Sequence, residues 1–363
     1  MTNRRRIRLM TPEDLALAEG IDNAEFGVTE IAAEFERSGL SFRPTTLTLM
    51  VQGAERPNQL GETIAVALTH RSPAWYLQDD PLGDFVVGVM PSDQERAVHL
   101  ITIVPTSDYR WRRLERRTNS PRSGVSRFTL DLQQVQGLAE RLGERGRVTV
   151  SRTTGRSVED GSSISRGWSS DRPDFDQAFQ ELIRHPASVR TVTFWVGRST
   201  NLQIRRDGGA TLYRGSAVVF QDVVLDHLAA AAHVRAALLK DRQRPEDRPL
   251  DQALRVHFSS PPFISEGSTE DLSQILYLDS EFGVAVLHDN PYFHASVTDY
   301  AAAASADVFV TDSGEVTIFP GYNASMAFLS RIADRIAERF PFSHLSAVSA
   351  HPEFESSAVL AQD

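Results

Sequence analysis

Two stretches about 105 residues apart repeat one pattern, and that pattern limits what the chain can build. Each has a polar strand, an Asp-Gly-type turn, a second strand, a glycine and an amphipathic helix. The first runs through 202–206, Asp207-Gly208-Gly209 and 210–215, with a helix over about Gln221 to Lys240. The second runs through 307–311, Asp312-Ser313-Gly314 and 316–321, with a helix over about Ala324 to Phe340. Thr211, Leu212, Tyr213 and Gly215 align with Thr317, Ile318, Phe319 and Gly321. Short polar turns between such strands make antiparallel hairpins. The pattern predicts an α+β fold of antiparallel sheets with helices packed on one face, with scope for pseudo-duplicated strand-helix-hairpins-helix halves.

A chain of 363 residues can bury two or three ordinary cores. Its hydrophobic share of 41% and charged share of 24% suit a soluble globular protein. No run approaches the roughly 18 to 20 apolar residues that span a bilayer. The basic start, Met1 to Arg8, is not followed by an apolar stretch of signal-peptide type, so the expected location is cytoplasmic. Cysteine is absent, which excludes disulfides, Cys-zinc sites, iron–sulfur clusters and a Cys nucleophile. Lys240 is the single lysine and has no Gly-rich loop beside it, which excludes a Walker-type phosphate lysine. A Schiff base would also have to fall on Lys240, at a helix end.

The net charge of −10 is carried almost entirely by residues beyond about 250. Within the near-neutral remainder, Tyr109, Arg110, Trp111, Arg112, Arg113, Arg116 and Arg117 form a basic, aromatic-containing segment that continues to Arg122. It could hold phosphates, with Tyr109 and Trp111 as stacking faces, or it could contact acidic protein surface. The second use is favoured, because arginine is the general-purpose cation of this chain and Glu115 dilutes the cluster.

Along the chain, Thr11-Pro12-Glu13-Asp14 opens a helix, and a second helix follows over 24–37. Strands are predicted at 45–51, 63–68, 84–90 and 99–104, and the Arg-rich stretch 107–126 reads as a loop. A strand at 127–131, a helix at 132–144 and a strand at 147–152 come next. The Ser/Gly-rich stretch 153–172 reads as mobile or as a long exposed hairpin. The predicted divisions are an N-terminal α+β domain over 1–120 and a middle one over 121–245 with the 153–172 insertion. An acidic C-terminal domain follows over 250–345, with a tail over 346–363. The linker between the last two domains is placed at 241–249, where prolines sit among charges. The acidic domain reads as strand, helix, four strands, helix. That order resembles one half of the TATA-binding-protein architecture, in topology alone, because DNA binding by a saddle needs positive potential.

Gln134-Val135-Gln136-Gly137-Leu138-Ala139 resembles the Q/R-x-x-G-x-G/A loop with which GNAT acyltransferases cradle acyl-CoA pyrophosphate. The early order of a strand at Arg6 to Leu9, two helices and further strands is similar to that family as well. The resemblance implies acetyl-CoA as cofactor, held by Gln134, Gly137 and Ala139. The competing reading makes Gln134 and Gly137 exposed residues of an ordinary helix. His288 and His294, with Asp289 and Asp299 near them, could meet across a hairpin as a zinc or general-base set. Asn290-Pro291 is also an ordinary turn signal, and the structural turn is the favoured reading. No other catalytic or metal motif is present.

The reading that results is a non-enzymatic binding or assembly protein of a soluble bacterial complex, acting through sheet faces and loops on a protein partner or on itself. No catalytic residue, metal or cofactor is expected, and no membrane partner. A GNAT-like acyltransferase is the alternative, and nucleic-acid binding by the arginine segment is a second.

Overall fold

The computed structural model describes residues 32, 43–51, 68–70, 75–78, 85–102, 106–118, 125–157, 162–169, 172–184, 187–240, 242, 252–258, 268–277, 282–289, 292–310, 314–340 and 343–348. The expected helices at 11–19 and 24–37 (Ala32 apart), the strand at 6–9, most of that at 63–68, and the tail beyond 348 lie outside these. The chain divides into two compact units. The first is Met1–Lys240 with Met326–Phe342; the second is Asp241–Ser325 with Ser343–Asp363.

The first unit holds an eleven-stranded antiparallel sheet. Its strands are β1 (Thr45–Val51), β2 (Leu68–His70), β3 (Trp75–Gln78), β4 (Phe85–Pro91), β5 (Ala97–Thr102), β6 (Val125–Ser126), β7 (Val148–Ser157), β8 (Ser163–Gly167), β9 (Ala187–Val196), β10 (Thr200–Arg205) and β11 (Gly209–Arg214). The order across it is β2-β3-β4-β5-β1-β11-β10-β9-β7-β8, with β6 also on β1. β1 is buried along its whole length. It pairs with β5 on one side; on the other, Thr45 to Leu47 face β11 and Met50 and Val51 face β6. The expected boundary near 120 therefore does not divide the chain, because strands from both sides of it share one sheet.

The β10–β11 turn fills the gap between β11 and β6. Thr48 N donates to Gly208 O (2.9 Å) and Leu130 N to Arg206 O (2.7 Å). Gly208 has φ +81°, and a Cβ there would meet Thr48 O at 2.8 Å and the Phe128 ring at 2.9 Å. Only glycine fits both demands. Asp207 closes the turn: its Oδ1 accepts from Gly209 N (3.2 Å) and Arg205 Nε (3.1 Å), and its Oδ2 pairs with Arg127.

Helices α1 (Tyr109–Arg117), α2 (Leu132–Gly143), α3 (Phe175–Arg184) and α4 (Ala217–Leu239) belong to this unit. α1 replaces the expected loop. Asp108 caps it by accepting from Arg110 N (2.8 Å), and Trp111 and Leu114, three apart on one face, are fully buried. The strand predicted at 127–131 does not form; β6 lies just before it, at Val125–Ser126. The stretch 153–172 forms the hairpin β7–β8, with an exposed outer strand. α4 contains a π-helical turn over 220–225, and its C-terminal part packs on β1 and β5. At 23 residues it is the one helix, among those described, long and apolar enough to cross a membrane. In sequence it is not an unbroken apolar run, because Asp222, Asp226, His227, His233 and Arg235 interrupt it.

The second unit holds a six-stranded antiparallel sheet of β12 (Leu254–Phe258), β13 (Phe282–His288), β14 (Phe293–Asp299), β15 (Ala304–Val310), β16 (Val316–Pro320) and β17 (Ser343–Ala347). The order is β13-β14-β15-β16-β12-β17. Helix α5 (Ser268–Tyr277) packs on β13 and β14 with Leu272, Ile275 and Leu276 buried. β17 occupies residues expected to close the domain and begin the tail. Leu254–Phe258 recruits them, pairing along all five positions.

Helix α6 (Met326–Arg339) follows the second hairpin in sequence but belongs to the first unit, where it packs on α4, β6 and β9. Arg235 Nη2 reaches Asp334 Oδ1 at 3.1 Å, and Ser330 Oγ donates to Asp334 Oδ2 (3.3 Å). The expected acidic domain thus lacks its closing helix. The two hairpin motifs nevertheless share a lock. Gly215 lies against Thr200, whose Oγ1 accepts from Ser216 N (3.2 Å); Gly321 lies against Ser305, whose Oγ accepts from Tyr322 N (3.0 Å).

His99 on β5 is buried, and its Nδ1 shares a hydrogen bond with Thr48 Oγ1 (2.9 Å). Burial pushes its pKa from 6.5 down to about 4, so the folded protein keeps it neutral while the unfolded chain takes up a proton. The stability this protects is complete above pH 6.5 and falls as pH drops toward 4. Urea unfolding at pH 7 and pH 4.5 should show wild type losing roughly 2 to 3 kcal/mol more than His99→Gln across that interval.

Candidate functional site

Two strands of the second sheet, β14 and β15, alternate cleanly. Phe293, Ala295, Val297 and Asp299 of β14, and Ala304, Ala306, Val308 and Val310 of β15, are buried. The residues between them are half-buried and form a polar, aromatic face. Strand registers line these up into a row crossing all six strands: His288, His294, Phe309, Thr317, Arg255 and Ser346. Side chains within it are in contact. The His294 ring stacks on Phe309 with centroids 4.0 Å apart, and Phe309 meets Phe319 edge-on at 5.2 Å. His294 Nε2 lies 3.7 Å from Asp307 Oδ1, an ion-pair distance too long for a hydrogen bond. In the neighbouring row, His257 stacks on His344 at 4.8 Å, and its Nε2 shares a hydrogen bond with Ser346 Oγ (2.6 Å). Burial, then the neighbouring His344, holds the His257 pKa below its ordinary value. Arg255 Nε faces Glu315 Oε2 at 3.4 Å.

The row ends on β13, the edge strand, whose sole strand partner among the described residues is β14. Its sequence is Phe-Gly-Val-Ala-Val-Leu-His, with no charge and no proline. Ala285, Val286 and Leu287 are all exposed, Leu287 by 59%. Tyr277 of α5 donates its hydroxyl to Val284 O (3.0 Å), which marks that carbonyl as pointing away from β14. At one end of the strand, Tyr300 lies across Gly283, where any Cβ would strike its hydroxyl. Asp299 is buried and accepts from Ala301 N (2.8 Å) and Ala302 N (3.0 Å), fixing the β14–β15 turn. Asn323 Nδ2 donates to Ala302 O (3.0 Å), and Ala303 and Asn323 both have positive φ. Tyr300 and Tyr322, 72% and 78% exposed, project from these constrained loops. Tyrosine is among the residues enriched at protein–protein interfaces.

The residues singled out by sequence have the following places. His288 and His294 do face each other in register across the β13–β14 hairpin. Their rings diverge, His288 onto Tyr292 (4.4 Å) and His294 onto Phe309. Among the described residues no group of three or more His, Asp or Glu side chains is arranged to hold a metal.

Gln134 sits at the third position of α2, in a capping box. Its N–H donates to Asp131 Oδ1 (2.7 Å) and its side-chain oxygen accepts from Asp131 N (3.0 Å). Val135 N donates to Asp131 O, and Gly137 lies inside the helix opposite His227. Ala139 is buried. Asp131 Oδ1 thus takes one of the N–H groups at the helix start, that of Gln134.

The arginine segment is divided by its helix. Trp111 is buried and donates Nε1–H to Glu115 Oε1 (2.8 Å), so it offers no stacking face. Arg110 pairs with Asp108 (2.9 Å). Tyr109, Arg112 and Arg116 are exposed, with Arg116 beside the Tyr109 ring, while Arg113 and Arg117 are half-buried. A strand over 282–287 is expected from sequence, but its edge position is not, because being at an edge is a property of strand order. The uncharged run 282–287 was the available signal.

No protein-family model matches the chain, and no curated protein matches it at a significant level.

Replacing Arg112, Arg113, Arg116 and Arg117 together by glutamine should leave affinity for a mixed-sequence DNA or RNA oligonucleotide unchanged. Anisotropy titrations at two salt concentrations check this. A salt-sensitive loss of binding would establish the nucleic-acid role instead.

Proposed function

We propose that the protein is a non-enzymatic binding or assembly protein that engages a protein partner through the second unit, at the edge strand β13 and the surface beside it. The observation that carries this reading is β13 itself. Native sheets blunt their edges with charge, proline or cover, and a seven-residue edge with three consecutive exposed apolar residues has neither charge nor proline. The exposed Tyr300 and Tyr322 support it further. In-cell crosslinking of the full-length protein in its native host, followed by native purification, should recover a stoichiometric complex with crosslinks concentrated on 277–300. A monomer with no stoichiometric partner under those conditions overturns the reading.

The acyltransferase alternative has its own test. A ligand selective for the folded state raises the melting temperature. With Asp131 capping the start of α2, millimolar acetyl-CoA should leave Tm unchanged; a rise of several degrees would restore that alternative.

A further inference from the structure

We infer that β13 accepts an extended segment of the partner, with an apolar centre and basic flanks, as a seventh strand of the second sheet. This rests on the assembly reading above and names what the partner must present.

The first support is the backbone. Tyr277 shows that Val284 O points outward, and strand alternation then puts the N–H and C=O of both Val284 and Val286 on the outer side. These groups provide the ladder that strand addition uses. The Tyr277 hydroxyl covers one of them, and Tyr277 is itself more than half exposed, so an incoming N–H can replace it. The second support is the side chains. Val284 and Val286 lie on one face of the strand, in register with Val297 and Ala295, while Ala285 is in register with Ser296 on the other. An added strand would find apolar neighbours on both.

The third support is charge, and it selects the occupant. The second unit carries 17 Asp and Glu residues against four arginines. In sequence, Asp279 and Glu281 precede β13 and Asp289 follows it, while the strand between is neutral. Two copies meeting edge to edge would bring two such negative surpluses together. A segment that is apolar where β13 is apolar, and basic where its flanks are acidic, meets no such penalty.

The test uses full-length protein and a fluorescein-labelled peptide, Lys-Arg-Val-Thr-Val-Thr-Val-Arg-Lys. One control has glutamate in place of every basic residue, and another has proline in place of the central valine. Anisotropy at low ionic strength should show the basic peptide binding about tenfold more tightly than either control. Leu287→Lys, at an exposed position, should weaken binding about fivefold while leaving Tm and the far-UV spectrum unchanged. Val286→Pro, which removes an outward N–H, should abolish it. Tyr277→Phe should bind at least as tightly as wild type. The inference is overturned if the basic and proline peptides bind equally, if no binding is seen up to millimolar peptide, or if Leu287→Lys and Val286→Pro both bind normally. A native complex that persists undiminished in Leu287→Lys also overturns it, while leaving the assembly reading standing.

Discussion

The first unit depends on one tight turn lodged against one buried strand. β1 is the element through which the two wings of the eleven-stranded sheet are joined, and all seven of its residues are buried. A strand so placed must satisfy its hydroxyls internally. Thr46 Oγ1 donates to Ala210 O (3.3 Å) and Thr48 Oγ1 shares its hydrogen bond with His99. Where β1 changes partner from β11 to β6, its backbone would be left unpaired. Gly208 fills that break, and its backbone conformation and the contact with Phe128 both exclude a side chain. The Asp-Gly turn that marked the first repeat is therefore more than a hairpin tip. It completes the hydrogen bonding of the central strand.

Around that turn the protein buries guanidinium groups, which is costly unless each is forked onto carbonyls or carboxylates. Arg206 is 5% exposed; its Nε donates to Leu130 O (2.6 Å) and its Nη1 to Val189 O (3.4 Å). Burial lowers both Arg206 and Arg127 to about 10, still high enough to stay charged at neutral pH. A lysine, with a lower starting pKa and no planar fork, would be poorly suited to either place. Arg205 bridges Glu115 of α1 and Asp207 of the turn, and Arg235 joins α4 to α6 through Asp334. These groups tie helices from distant parts of the chain to one small region.

Sequence legibility followed the range of the forces involved. Both hairpin–helix motifs, the helices α2, α3 and α5, and most strands after β4 follow from local turn chemistry and alternation, and so they were predictable. α1 was misread because its charge suggested a loop. Asp108 as cap, with Trp111 and Leu114 one turn apart, was the better signal. β17 was missed for a different reason, since its five residues become a strand only by pairing with β12, some 90 positions away. That the expected N-terminal and middle domains share one sheet was illegible for the same reason: it turns on pairing Thr45–Leu47 with Gly209–Thr211. At the candidate surface, the neutral run of β13 was visible in sequence. Its edge position and the cross-sheet row from His288 to Ser346 required the fold.

The placement of α6 has a genetic consequence. The chain passes from the first unit to the second after Lys240, returns for residues 326–342, and leaves again at Ser343. A stop codon or deletion that removed everything after Lys240 would not trim away one module. It would also strip the first unit of a helix whose Ile332, Ala333 and Ile336 are buried and leave Arg235 without Asp334. The acidic unit therefore cannot be gained, lost or shuffled as a terminal cassette. Recombination that exchanged it while keeping α6 would have to cut on both sides of that helix.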